Sequence, residues 1–420
     1  MKMRLKKYIL RILCAVTVCT LCGCSVSEMS VEDLMRPPQL SASRRQIQQA
    51  LTALVGSSYQ LVSPQSSAGL SGINLTDLDG DGVSEAVCLY TAGSPALVNV
   101  AVFRNENNAW TNLGHFASDA TAVDKLEFCD LDGSGVANIV IGFGYLTGSD
   151  HVLQILKLEN GTLSSLHQEP YHQFAIVGDN VKQLVVLGAS GATAALLGMK
   201  DGRLTSLSSV PMDSRAQSVL SLQTAKTSGG RPAIYVDSRL DNQMYTTEVL
   251  VLGDEGFLEN RLFTAEHMLG DRPTAVKCMD ISGDGIPEIP QAVAMTDEQN
   301  TTYFTYWYSF DGEKLSDPTV TFTSASEQYY FLYPEKWRKN VIVRRDEKSS
   351  ERTVRFVDRR TEDTLYSLRV FTPAEYATLD KHNWTPVIRA TDRILAVAPV
   401  GVEEPLELSE KEWSDALHIY

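Results

Sequence analysis

The chain has 420 residues, 43% of them hydrophobic and 21% charged, which is enough to bury a sizeable core and excludes a disordered or collagen-like polymer. Its formal net charge of −15, from 37 basic and 52 acidic side chains, repels polyanions and argues against nucleic acid as a partner. Residues 1–23 carry Lys2, Arg4, Lys6, Lys7 and Arg11 with no acid, and an apolar run follows from Ile12 to Leu21. That is the layout of a secretory signal; the run is shorter than the roughly 20 residues that a membrane-spanning helix needs.

Leu21-Cys22-Gly23-Cys24 resembles the bacterial lipobox. The resemblance implies that Cys24 becomes the lipidated first residue of the mature chain, held on the extracytoplasmic face of the cell membrane; several acyl chains anchor stably where one is marginal. Residues 24–40, with Pro37-Pro38, read as a tether, and Leu34-Met-Arg-Pro-Pro-Gln-Leu40 is similar to the tether of clostridial-type lipoproteins. Within 41–57, Ile47, Leu51, Leu54 and Val55 fall at helical spacing before Gly56, so the spacing predicts a short amphipathic helix.

Residues 58–325 change to short β-rich runs, among them Val98–Phe103, Val152–Leu158, Leu184–Leu187, Ile234–Val236, Thr247–Leu252 and Thr301–Phe310. Hairpin signals at Glu159-Asn160-Gly161, Lys200-Asp201-Gly202, Glu255-Gly256 and Phe310-Asp311-Gly312 separate them. Mainly β is the predicted class. Three segments align: Asp77-Leu-Asp-Gly-Asp-Gly-Val-Ser-Glu85, Asp130-Leu-Asp-Gly-Ser-Gly-Val-Ala-Asn138 and Asp280-Ile-Ser-Gly-Asp-Gly-Ile-Pro-Glu288. Their spacing fits a period of about 50 residues, one four-stranded propeller blade. Degenerate copies are then expected near 180 and 230, and Gly178–Val185 and Tyr235–Asn242 are the candidates. The expectation is a β-propeller of about five blades, to six or seven if the ends contribute, followed by a small α+β domain over 326–420. There, Pro373–Lys381 and Ser409–His418 read as helices, the second opened by a Ser409/Glu412 capping box.

The three aligned loops are the strongest chemical motif. A Ca²⁺ ion takes six to eight hard oxygens, and a tight loop supplies them from side chains at positions 1, 3, 5 and 9 and a carbonyl at 7. The first loop offers Asp77, Asp79, Asp81, the Val83 carbonyl and Glu85; the second Asp130, Asp132, Ser134, the Val136 carbonyl and Asn138; the third Asp280, Ser282, Asp284, the Ile286 carbonyl and Glu288. They are not EF-hands, since position 12 holds Cys88, Ile141 and Gln291 and strands flank them. They resemble the FG-GAP or VCBS repeats of integrin-like β-propellers, which implies a structural ion inside each blade hairpin. Ser134 and Asn138 leave two carboxylates in the second loop, and Ser282 leaves three in the third, so ligand charge ranks the loops first, third, second. The competing reading is Asx-turns without metal.

Seven cysteines fall to four after cleavage, and Cys88, Cys129 and Cys278 read as small buried hydrophobes. Gly142-Phe-Gly144 reads as a strand-turn glycine cluster rather than a nucleotide fingerprint, and His167 and His172 as a chance pair on a loop. Residues 336–360 hold ten Lys or Arg against four acids, either the solvated faces of a hairpin or a dock for anionic headgroups, wall polymers or the chain's own acidic β-rich region. Tyr333-Pro-Glu-Lys-Trp337 is similar to the opening of small C-terminal domains on clostridial-type lipoproteins. No P-loop, Gly-x-Ser-x-Gly elbow or His-Glu-x-x-His occurs. The expected function is binding or scaffolding of a protein or polysaccharide at the cell surface, with the membrane as partner through the anchor. The alternative is a polysaccharide lyase or hydrolase working in the propeller funnel, which a channel lined by His, Tyr, Arg and Glu would favour.

Overall fold

A computed structural model describes residues 42–420 apart from positions 108, 146–150, 160, 180, 264–268, 297–300, 346–351, 380–382 and 403–404. The expected signal (1–23), Cys24 and the tether (24–40) lie outside the described residues. Helix α1 (Ala42–Val55) buries Ile47 and Leu51, one turn apart, and stops at Gly56, whose φ of +82° favours glycine and whose N–H donates to the Thr52 carbonyl at 2.9 Å.

Five short to medium strands follow: β1 (Tyr59–Leu61), β2 (Ile73–Thr76), β3 (Glu85–Ala92), β4 (Leu97–Glu106) and β5 (Ala109–Ala117). In this antiparallel sheet β1 and β2 share one edge of β3, and β4 and β5 continue from the other. The apolar run in β3 is continuous because both its faces are covered. Ala86, Cys88 and Tyr90 pack under α1 with Ile47 and Leu51, whereas Val87 and Leu89 face the second sheet through Leu126, Ile139, Ile141 and Phe143.

That second sheet has seven antiparallel strands, β6 (Ala122–Cys129), β7 (Asn138–Gly144), β8 (His151–Glu159), β9 (Thr162–Val177), β10 (Gln183–Gly188), β11 (Thr193–Lys200) and β12 (Arg203–Pro211). It is two four-stranded units sharing β9. The first part of that 16-residue strand pairs with β8 and the second with β10, and Tyr171 lies in register with His151 on one side and Gly188 on the other. The third sheet runs β13 (Ala216–Lys226), β14 (Pro232–Leu240), β15 (Tyr245–Leu252) and β16 (Leu258–Asn260). Alternation again divides each central strand: Val185 and Leu187 of β10 meet Ile234 and Val236 of β14, while Ala233 and Tyr235 of β14 meet Cys278, Ile289 and Phe310 beyond.

The strand–turn–strand unit recurs with turns starting at 77, 130, 178 and 227, and the turn at 280 leads into β17 but is closed on its other side only by the single bridge Met279–Glu288. The copy expected at Gly178–Val185 falls on the turn between β9 and β10. The copy expected at Tyr235–Asn242 does not: the corresponding turn is Thr227–Arg231, and Asp237 lies inside β14, fully buried. Its charge is met by Arg272, also buried, at 2.9 Å; Arg272 donates in addition to Thr247 Oγ1 and the Val276 carbonyl, each at 2.9 Å, and the Cys278 N–H donates to Asp237 at 2.9 Å. This network fixes the irregular segment 272–278 against the third sheet.

The fourth sheet comprises β17 (Ile289–Thr296), β18 (Thr301–Tyr308), β19 (Thr319–Ser324) and β20 (Tyr329–Leu332). Beyond it come β21 (Val341–Arg345), β22 (Thr353–Asp358), β23 (Thr364–Phe371), helix α2 (Pro373–Thr378), β24 (Thr385–Arg389) and β25 (Ile394–Pro399), whose strands form a fifth sheet in the order β21-β22-β23-β25-β24. Helix α3 (Glu410–Ala416) starts with the expected capping box at Ser409 and Glu412; α2 has one too, at Thr372 and Glu375, and is shorter than expected. The last strand, β26 (Leu417–Ile419), returns to pair with β20. Sheet and core therefore run across residue 325: Phe304, Val320 and Phe322 pack in one cluster with Phe331, Trp337, Phe356 and Trp413. Cys88, Cys129 and Cys278 are free and buried, and burial pushes the first two thiols up to about 12. Among the described residues no helix is long and apolar enough to cross a membrane.

Removing one partner of a buried ion pair strands the other charge at a loss of about 3–5 kcal/mol. Asp237→Ala is accordingly expected to lower the urea midpoint by that equivalent, and a change within error would refute the bracing role of the Arg272 network.

Candidate functional site

Two polar assemblies stand out, the acidic turns and a cleft where the sheets meet. In the first turn Asp77 accepts the N–H groups of Gly80 (2.8 Å) and Gly82 (2.9 Å), and Asp81 accepts that of Val83 (2.8 Å). Glu85 is fully buried and accepts the Leu78 N–H at 2.9 Å. Oxygens of Asp77, Asp79 and Glu85 come within 4.8 Å of one another, as do those of Asp280, Asp284 and Glu288. Among the described residues the second turn forms no such group; Asp130 there caps the N–H groups of Gly133 (2.8 Å) and Gly135 (2.7 Å), and Asn138 is buried at the start of β7. In the third turn Asp280 accepts from Gly283 (2.7 Å) and Gly285 (2.8 Å), Asp284 from Ile286 (2.8 Å) and the buried Glu288 from Ile281 (2.9 Å). Ser282 donates to Asp280 at 3.5 Å.

The register separates the turns by charge. Phe103, Leu156 and Tyr308 pair with Ala86, Ile139 and Ile289, so Arg104, Lys157 and Ser309 hold corresponding positions beside the three turns. Arg104 donates to Glu85 at 3.1 Å and bonds Asp79; Lys157 sits 3.6 Å from Asp132; Ser309 donates to Glu288 at 3.3 Å. The first two turns carry their own cation and the third a hydroxyl. Burial raises the Glu85 carboxyl above its ordinary range despite the Leu78 N–H, with the charges of Asp81 and Asp77 adding to the rise. Burial also opposes ionisation of Asp280, yet the N–H groups of Gly285, Gly283 and Asp284 hold it below the ordinary range. These are hard oxygen donors of the kind Ca²⁺ takes, and the third set fits an added cation best because no side-chain cation is paired with it among the described residues.

The cleft, of about 640 Å³, is bounded by β6, β9 and β13 with Ser66 and His151 at its rim. Tyr171 donates to Asp124 Oδ2 at 2.6 Å, and Ser66 donates to the other oxygen at 2.7 Å. Lys125 donates to the Phe174 carbonyl at 2.9 Å and lies 4.8 Å above that ring. Burial, then the Asp124 bond, moves the Tyr171 phenol well above its ordinary range; burial, then the neighbouring His151, lowers His172 below its own. The wall is thus a neutral imidazole beside a phenol–carboxylate pair, with Gln173, Gln217 and Ser218 completing a surface suited to hydroxyl-rich ligands.

His167 and His172, expected on a loop, both lie on β9, and the histidine whose charge acts on His172 is His151 rather than His167. Gly142 gains a role as well: a Cβ there would overlap the Tyr171 hydroxyl. In the basic stretch, Lys336 pairs with Glu412 and Arg352 with Glu327, while Lys339, Arg359 and Arg360 border a cavity of about 540 Å³ that Asp358 and Asp363 also line.

No family model and no curated protein matches the chain. Among solved structures it is similar to a protein from Lactobacillus plantarum at 10% identity, over 70% of this chain and 82% of that one, with a TM-score of 0.33. It is similar also to rhamnogalacturonan lyase YesW (11% identity, 73% and 71% covered, TM-score 0.31) and to a rhamnogalacturonan lyase from Bacillus licheniformis (12%, 73% and 71%, TM-score 0.30).

Gly142→Ala is expected to push the phenol off Asp124 and destabilise the chain by about 1–3 kcal/mol, the range for overpacking. Tyr171→Phe in that background should relieve most of the loss; denaturant midpoints of the two variants decide it.

Proposed function

We propose that this protein is a lipid-anchored binding protein of the extracytoplasmic cell surface, and that its cleft takes a saccharide. The observation that carries the reading is the composition of the cleft: side-chain donors and acceptors from the second and third sheets and from the Ser66 loop converge on about 640 Å³, with the half-buried His151 and His172 as ring surfaces against which a sugar can stack. In this reading the successive sheets are blades of a β-propeller and Cys24 carries the anchor. A bound Ca²⁺ ion neutralises carboxylates and ties the two ends of a turn together. Asp280, Asp284 and Glu288 with Ser282 and the Ile286 carbonyl would hold it most readily; Asp77, Asp79, Asp81, the Val83 carbonyl and Glu85 come second, because Arg104 already answers two of those carboxylates. The Asp130, Asp132, Ser134, Val136 and Asn138 set, facing Lys157, comes last.

Saccharide cleavage in the same cleft is the second reading, and the neutral His172, available as a base, favours it.

Calorimetric titration with neutral, acidic and amino oligosaccharides is expected to find at least one class that binds, with His172→Ala weakening it about tenfold, or about 1.4 kcal/mol. No binding by any class would end the reading, and appearance of shorter products would move it to the second. Ca²⁺ is expected to raise the melting temperature of residues 25–420 over that in EGTA, with Glu288→Gln removing most of the rise; identical melts would remove the ion. Cys24→Ala should abolish acyl labelling and release the chain from membranes, and unchanged labelling would refute the anchor.

A further inference from the structure

We infer that a recess beside the cleft is a subsite for a primary ammonium group, so that the saccharide proposed for the cleft contains an amino sugar; the inference rests on that reading. The recess measures about 80 Å³ and shares His172, Gln217 and Ser218 with the cleft, while Ser190, Ser238 and Glu248 complete the part of its wall that matters. Glu248 is 1% exposed. Its Oε1 accepts the Asp213 N–H at 3.0 Å and the Asn260 amide at 2.8 Å, but its Oε2 has no hydrogen-bonding partner among the described residues. A buried carboxylate oxygen without a donor is costly, and a ligand that supplies one recovers that loss on binding.

The nearby protein cation is committed elsewhere. Arg215 bonds Asp213 at 2.6 Å and Asp271 at 2.7 Å, and reaches Glu248 only through space. Burial therefore dominates and pushes the Glu248 carboxyl up to about 7, with Asn260, the Asp213 N–H and Arg215 opposing the rise and the Asp213 charge adding to it. His172, held neutral by burial and by His151, presents a ring that can also accept. An acceptor-rich recess with a fractional negative charge fits a group that offers several N–H donors and one positive charge. A hydroxyl offers a single donor and no charge. The recess is large enough for an ammonium group with its carbon and far smaller than the adjoining cleft, which is left to hold the sugar ring.

The test is calorimetric titration of the full chain in detergent micelles, at about pH 7, where an amine flanked by electron-withdrawing oxygens carries part of its charge. The probes are a β-1,4-linked glucosamine tetrasaccharide and its fully N-acetylated counterpart. The amino form is expected to bind at least tenfold more tightly, and Glu248→Gln to abolish the difference while leaving the acetylated form's affinity within twofold. Equal affinities in the native protein would overturn the subsite and leave the cleft reading standing; binding of neither sugar would overturn both. Should Glu248→Gln melt early, a crystal structure of the native complex decides: an amino nitrogen at hydrogen-bonding distance from Glu248 supports the subsite, and one placed elsewhere refutes it.

Discussion

Burial of the central strands on both faces is the constraint from which the rest of the molecule follows. A strand covered on one face alternates apolar with polar, but β3, β7, β10, β14 and β15 show near-continuous apolar runs because a neighbour covers each side. Helix α1 covers the outer face of the first sheet, and the sheets then stack in chain order. With the faces sealed, polar chemistry is confined to turns at strand ends and to the edges of the stack. That is where the acidic turns and the cleft lie, and among the buried charged side chains Asp237 with Arg272 marks a place where a loop is tied down and Glu248 one where a cavity opens.

Charge within the turns divides the repeats by role. Each aligned turn gathers backbone N–H groups onto its leading aspartate, which organises the loop whether or not an ion is present. What differs is the residue across the hairpin. Arg104 and Lys157 bring a positive charge to the first and second turns, and Ser309 brings none to the third. At a few ångströms such a charge is worth a substantial part of a carboxylate's repulsion by its neighbours. Counting ligand carboxylates alone puts the first turn ahead; counting the facing residue as well puts the third ahead.

The sequence made the β class, the repeat period, α1, the Ser409 cap and the acidic turns legible, because each rests on residues close together in the chain. The cleft was not legible. Its walls come from Asp124 on β6, His151 on β8, Tyr171 and His172 on β9 and Gln217 on β13, which long-range strand pairing within the second sheet and the packing of the third sheet against it bring together. Asp237 was misread for a related reason: an aspartate after two β-formers resembles a turn signal until Arg272, 35 residues on, supplies its counter-charge. Gly142 reads as part of a strand-turn glycine cluster, and it does lie in β7, but nothing local announces the Tyr171 ring that packs over it. Arg104 and Lys157 could have been found, since a cation at the same offset after two acidic turns is a pattern in the sequence itself.

The strand Thr162–Val177 belongs to two sheets at once, and this binds the fates of the repeats on either side. In a stack of separate wedges, each could open alone and expose its hydrogen bonds to solvent for a moment. Here, detaching either neighbour strips one half of a ladder whose other half is still engaged, so the second and third repeats should exchange their amide hydrogens as a single cooperative block. The floor of the cleft, built on that block around Tyr171, thereby inherits a rigidity that a hinge between independent units would deny it.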